Sequence, residues 1–174
     1  MNSLDEWLAY ISETHSSEIE MGLDRIRRVY ASMNASTKYQ QPKQIVVVSG
    51  TNGKGSTIAL IEAGLISMGY SVGSYTSPHI RKYNERVKLN AHPVSDDLLV
   101  SSFERVEHAR RDVPLTYFEF GTLVALDVLF SCEPDVLILE IGLGGRLDAV
   151  NIIDADLSII TSVGLDHTDW LGDS

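Results

Sequence analysis

The chain of 174 residues has a single cysteine, Cys132, so no disulfide can form within it. It has no apolar stretch approaching the roughly 20 residues needed to cross a bilayer as a helix. Its opening, MNSLDEWLAY, lacks the basic segment followed by an apolar one that marks a secretory leader. These deficits predict a cytoplasmic protein that does not associate with membranes. Basic residues are also in short supply: 14 Lys and Arg stand against 24 Asp and Glu, for a formal charge of −10. That imbalance disfavours non-specific binding to nucleic acid or anionic lipid and leaves small molecules as the expected partners. There is no internal repeat and no low-complexity tract.

With 44% hydrophobic and 22% charged residues, the composition is that of a soluble globular protein. The length suits one domain that buries roughly 70% of the surface of its unfolded chain. Two amphipathic helices are predicted first, at 4–14 and 18–32; in the second, Ile19, Leu23, Ile26 and Val29 recur at spacings of three and four. The polar NASTKYQQPKQ reads as a linker, so that residues 1–40 form a leading segment and residues 44–174 a core. The core pattern is strand 44–49, helix 55–69, strand 72–76, loop 77–94, helices 95–111 and 117–131, and strands 135–141 and 157–162. Apolar strands alternating with helices predict an α/β fold, a mostly parallel sheet with helices on both faces. The connection 77–94 is long enough to be a candidate active-site loop. The chain stops at DHTDWLGDS before any closing helix, which predicts an unfinished sheet.

Residues 49–57 read SGTNGKGST, between the apolar IVVV and the helical IALIEAGLISMGY. Strand, glycine-rich turn and helix in that order gather backbone N–H groups and a helix N-terminus around one point, which favours an anion. Lys54 adds a cation able to reach terminal phosphates. The usual spacing is G-x-x-x-x-G-K-[ST]; here Gly50 lies four residues before Lys54, and Gly55 follows the lysine, with Ser56 and Thr57 next. The motif is a shortened variant, and it predicts a nucleotide triphosphate site of the P-loop NTPase type. Such a site takes a divalent metal near the β- and γ-phosphates.

The strand DVLILEIG ends on Glu140, at the carboxyl edge where open α/β sheets bind ligands. The residue is either the second acidic group of a nucleotide site or a solvated strand-end carboxylate. IITSVGLDHTDWLG repeats the geometry and delivers Asp166, His167 and Asp169 to the same edge. Thr116 and Glu119 of TYFE have the spacing of a capping box. GLGGRLDA at 142–149 and YTSPHI at 75–80 are turns that either line a pocket or merely reverse the chain. Cys132 reads as a packed small residue, and His15, His92 and His108 as surface residues.

Taken in order, GTNGKGST, YTSPHI, NERV, TYFEFGTLVAL, LEIGLGGRLDAVNI and TSVGLDHTDWLG closely resemble the dihydrofolate synthase/folylpolyglutamate synthase family of the Mur ligase superfamily. The resemblance implies the first part of a Mur-ligase-type ATPase domain, with the C-terminal glutamate-ligase domain absent. It implies an ATP-dependent ligase that joins L-glutamate to dihydropteroate or folate through an acyl phosphate, with Mg²⁺ as cofactor and a monomer at full length. On the family's pattern, Gly50, Thr51, Asn52, Gly53, Lys54, Gly55 and Ser56 would bind ATP. Ser77, Glu140 and His167 would hold Mg²⁺, making Lys54, Glu140 and His167 the catalytic set. Glu18, Ile19, Glu20, Met21, Thr116, Tyr117, Phe118, Glu119, Leu147, Asp148 and Ala149 would hold the pterin, which favours a bifunctional enzyme. A Mur-type peptidoglycan ligase shares GTNGK, but the TYFE and GLGGRLDA segments argue against that alternative; a non-catalytic nucleotide-binding fragment is the other reading.

Overall fold

The run QIVVVS has no polar face to turn toward water, and the computed structural model places it near the middle of a sheet. The structure describes residues 1, 3–14, 22–37, 39 and 42–164. The chain opens with helices α1 (Leu4–Thr14) and α2 (Asp24–Thr37), then β1 (Gln44–Ser49), α3 (Lys54–Ser67) and β2 (Val72–Tyr75). A short hairpin follows, β3 (Val87–Leu89) and β4 (His92–Pro93), then α4 (Asp96–Arg110), α5 (Tyr117–Ser131), β5 (Val136–Glu140) and β6 (Leu157–Ile160). The sheet order is β4-β3-β2-β5-β1-β6. Strands β2, β5, β1 and β6 run parallel, and β3 and β4 add an antiparallel border. The fold is the expected α/β arrangement with a mixed, mostly parallel sheet.

Alternate residues of the strands serve two separate cores, as the period of two requires. Ile45, Val47, Tyr75, Leu137 and Leu139 face the layer of α1, α2, α4 and α5. Val46, Val48, Val72, Val136 and Ile138 face α3 through Ile58. Helix α5 is buried without interruption from Glu119 to Phe130, which explains why its sequence is apolar all round: it lies between the sheet and the other helices. Its carboxylate Asp127 is met by Arg105, whose Nε and Nη2 donate at 2.9 and 2.5 Å, and by the Tyr39 hydroxyl.

The structure departs from the expected elements in two places. Helix α2 runs to Thr37, through residues read as linker. Met33 there is buried, and the Ser36 hydroxyl donates to the carbonyls of Ser32 and Met33 at 3.1 and 2.9 Å, so a polar stretch is held helical by one apolar anchor and local bonds. The predicted start of this helix at 18–21 lies outside the described residues.

The connection 77–94 is not structureless. Glu85 accepts from the N–H groups of Ile80, Arg81 and Lys82 at 2.8, 3.1 and 3.0 Å, a 3-10 turn covers Tyr83–Arg86, and Asn90 and Ala91 (φ 51° and 64°) form the two-residue turn of the hairpin. The turn residue Asn90 also accepts from Val72 N–H through its side chain, at 2.8 Å.

Removal of the Leu139 side chain, 0% exposed between sheet and α5, tests this layering. Leu139→Ala is expected to lower the unfolding free energy by about 2–5 kcal/mol, whereas Leu60→Ala, at a position 75% exposed on α3, should stay within about 0.5 kcal/mol of the parent. Urea denaturation followed by circular dichroism measures both.

Candidate functional site

β1 ends at Ser49 and α3 begins at Lys54, leaving four residues to turn the chain. Gly53 makes the turn with φ 85°, and no side chain caps the helix, so the first N–H groups of α3 are left to water or to a ligand. The Lys54 ammonium folds back and donates to the Gly50 carbonyl at 2.7 Å, closing the loop into a ring. The segment after β6 straps this ring from outside. Thr51 N–H donates to Ser162 O at 2.8 Å and Asn52 N–H to Ser162 Oγ at 3.1 Å. The Thr161 hydroxyl donates to Asn52 O at 2.7 Å, and Gly164 N–H donates to Thr51 Oγ1 at 2.9 Å. A Cβ on Gly50 (φ 131°) would stand 2.2 Å from Thr161 Oγ1 and 2.8 Å from Ser162 O. Gly50 is thus required by the strap as well as by the turn. Lys54, the loop, residues 142–144 and the strap enclose a cleft of about 290 Å³.

Beside it, at the carboxyl ends of β2 and β5, Ser77 N–H donates to Glu140 Oε2 at 2.9 Å. The structure brings these two predicted residues together. Glu140 is only 4% exposed; burial pushes its carboxyl up from the ordinary value, opposed by the Ser77 N–H and by the charge of Lys54. Ser77, Glu140, Gly55 and Glu62 line a second cleft of about 330 Å³. Glu62, buried on α3, accepts from Ser74 Oγ at 2.9 Å; sequence reasoning passed over it, and its only signal was a charge inside the apolar IALIEAGLI. Among the described residues no three His, Cys, Asp or Glu side chains cluster to hold a metal. His167, with Asp166 and Asp169, lies outside the described residues, as do Glu18, Ile19, Glu20 and Met21.

The remaining predicted residues form a wall from the start of α5 to the turn after β5. Thr116 and Glu119 make the reciprocal cap: Thr116 N–H donates to Glu119 Oε2 at 2.8 Å, and Glu119 N–H to Thr116 Oγ1 at 3.2 Å. Arg25 donates to Glu119 Oε1 at 3.1 Å, tying α2 to this helix start. Phe118 stacks on Tyr75, centroids 6.2 Å apart, and lies against Gly142, where a Cβ would come within 2.6 Å of the ring. Asp148, 4% exposed, accepts from Leu143 N–H and Val150 N–H at 2.8 and 2.9 Å, so it shapes the turn that carries Leu147 and Ala149. Burial pushes its carboxyl from 3.8 up to about 6, against the pull of those N–H donors and of Lys54. Leu147 is 39% exposed and Ala149 is buried.

One residue of this wall was not singled out from the sequence. Arg86, at the end of the 3-10 turn, donates from Nε to His79 Nδ1 at 2.9 Å and lies 5.5 and 5.7 Å from the ring centres of Tyr83 and Tyr117. Burial first, and then the Arg86 charge, lower the His79 pKa.

Strand, glycine turn, lysine-headed helix and an acid-tipped parallel strand beside them define an α/β domain of the phosphate-loop nucleotide-binding class. No family model matches the chain. Over 169 residues it is 46% identical to the dihydrofolate synthase/folylpolyglutamate synthase of Escherichia coli, an alignment spanning 97% of this chain and 39% of that protein. It superposes on E. coli FolC in complex with DHPP and ADP with a TM-score of 0.95 and 45% identity, covering 99% of this chain and 41% of the other. A bifunctional folylpolyglutamate synthase/dihydrofolate synthase with Mn, AMPPNP and L-glutamate bound gives a TM-score of 0.90 and 45% identity, covering 100% and 41%. The chain belongs to the dihydrofolate synthase/folylpolyglutamate synthase family. It spans about two-fifths of the length of the curated relatives it matches. Among the described residues no helix is long and apolar enough to cross a membrane.

Two outcomes follow from this geometry. The unfolded chain ionises Asp148 near its ordinary 3.8 and the folded chain near 6. Its contribution to stability is therefore full below about pH 4 and is lost as pH rises through 6. Asp148→Asn, whatever its absolute stability, should flatten the stability profile between pH 4 and 6.5 in urea denaturation; an unchanged slope would contradict the shift. Gly50→Ala combines a left-handed backbone with the 2.2 Å contact and is expected to cost at least about 1–3 kcal/mol by the same measurement.

Proposed function

We propose that the chain carries the ATP-binding and pterin-binding part of a ligase that joins L-glutamate to dihydropteroate and extends γ-glutamyl chains on folate. The observation that carries this reading is the juxtaposition of the Lys54-headed phosphate loop with the Ser77–Glu140 pair. It falls within a length superposable on a relative solved with DHPP and ADP. Residues Gly50–Ser56 would hold the phosphates of ATP, with uncapped helix N–H groups as donors and Lys54 released from Gly50 to the terminal phosphate. Ser77 and Glu140 offer a hydroxyl and a carboxylate, the hard oxygen donors that suit Mg²⁺, and with His167 would hold it. The bound ion would supply charge neutralisation at the β- and γ-phosphates.

The wall would receive the pterin: Phe118 and Tyr117 as aromatic faces, Leu147 as the rim, Asp148 and Ala149 holding the turn beneath it, with Glu18, Ile19, Glu20 and Met21 and the capped start Thr116–Glu119 around them. In the reaction, a carboxylate oxygen of the substrate attacks the γ-phosphorus and ADP leaves. The glutamate nitrogen then attacks the acyl carbon, inorganic phosphate departs and the amine gives up a proton. No protein nucleophile enters, so the residues act by positioning and by charge. The reading carries with it a cytoplasmic location and a monomer at full length, with glutamate as the partner that the rest of the relatives' length would help to bind.

Isothermal titration with Mg²⁺ and AMPPNP, with and without dihydropteroate, tests it. Saturable nucleotide binding, strengthened by dihydropteroate and weakened at least about tenfold in Lys54→Ala, is the expected outcome. Absence of binding by a chain folded by circular dichroism would refute the reading for these residues.

A further inference from the structure

Arg86 is a charge for which the described residues supply no paired counter-charge. The residue is 9% exposed. Each of the other arginines held between elements meets a carboxylate: Arg25 meets Glu119, Arg105 meets Asp127 and Arg110 meets Glu107. Among the described residues no carboxylate lies within ion-pair distance of Arg86. Its sequence neighbour Glu85 is committed elsewhere, to three backbone N–H groups. The contacts Arg86 makes with an imidazole nitrogen at Nε, with two tyrosine rings and with the neutral Tyr75 hydroxyl orient the guanidinium and neutralise nothing. A buried cation left in this state is unfavourable unless an anion completes it.

Its position says which anion. The Arg86 carbonyl accepts from Thr76 N–H at 2.8 Å, immediately before Ser77, and its guanidinium lies by Tyr117, immediately before Phe118. Arg86 therefore has its backbone tied to the strand end that precedes Ser77 and its guanidinium beside the first ring of the aromatic wall. We propose that Arg86 is the recognition residue for the carboxylate of the pterin-bearing substrate, binding an aromatic carboxylate through its planar donor edge and holding it at the mouth of the phosphate cleft. The assignment rests on the pterin reading of that wall.

The test compares two ligands by isothermal titration: dihydropteroate, and the same pterin carrying aniline in place of p-aminobenzoate. The parent chain is expected to prefer the carboxylate by about tenfold or more. Arg86→Gln and Arg86→Met should bind both compounds with the affinity that the parent has for the aniline form; Met is included because an apolar side chain suits the two tyrosine faces. Preference retained in either folded variant overturns the proposal, as does equal binding of both compounds by the parent. If the parent binds neither compound while it still binds Mg²⁺ and AMPPNP, the pterin reading falls and the proposal falls with it.

Discussion

A strand that is apolar on both faces, as IVVV is, can lower its free energy only with a helix layer on each side and a paired strand along each edge. β1 obtains all four, from α3, from the layer of α5, and from β5 and β6. The carboxyl end of β1 is then the one place where the chain must leave a fully enclosed environment within a few residues, and it leaves through Gly50–Gly53. Because the neighbours are parallel, their ends open at the same edge. Glu140 and the residues after Ile160 arrive beside the loop as a consequence of burying valines.

Among the described residues, the charges at that edge are held without ion pairs. Lys54 rests on a carbonyl rather than a carboxylate, Glu140 receives a backbone N–H, and Asp148 is occupied with its own turn. Lys54 pulls on both acids without forming an ion pair with either. A site of this kind keeps its cation available to a ligand, at the cost of holding two carboxylates in an environment that resists their ionisation.

Much of this was readable from the sequence, and what was not has identifiable causes. The turn at 50–53, the acid at the end of β5 and the cap at Thr116–Glu119 are local patterns whose chemistry fits within a few residues. The hairpin in 77–94 escaped because Asn90–Ala91 is an unusual pair for two left-handed residues, and because β3 and β4 are too short to show alternation. Helix α2 overran its predicted end because one buried methionine outweighs a polar neighbourhood. Glu62 and Arg86 are functional candidates only through what packs around them, and the requirement for Gly50 depends on Thr161, more than a hundred residues away. Such relations are tertiary, and no window of sequence contains both partners.

The bonds between the loop and the segment after β6 also make the edge strand a gauge of assembly. In a parallel pair, a slip of one residue reverses which side chains face each layer. β6 has little to oppose such a slip, since Leu157 and Ile160 are largely exposed in the correct arrangement. The misaligned strand would still pair with β1, yet a different residue would stand where Ser162 now receives the N–H groups of Thr51 and Asn52. An error invisible to helical content or compactness would therefore surface as a misshapen loop at the end of β1, so that the bonds of Thr51 and Asn52 to Ser162 report on strand alignment where helical content does not.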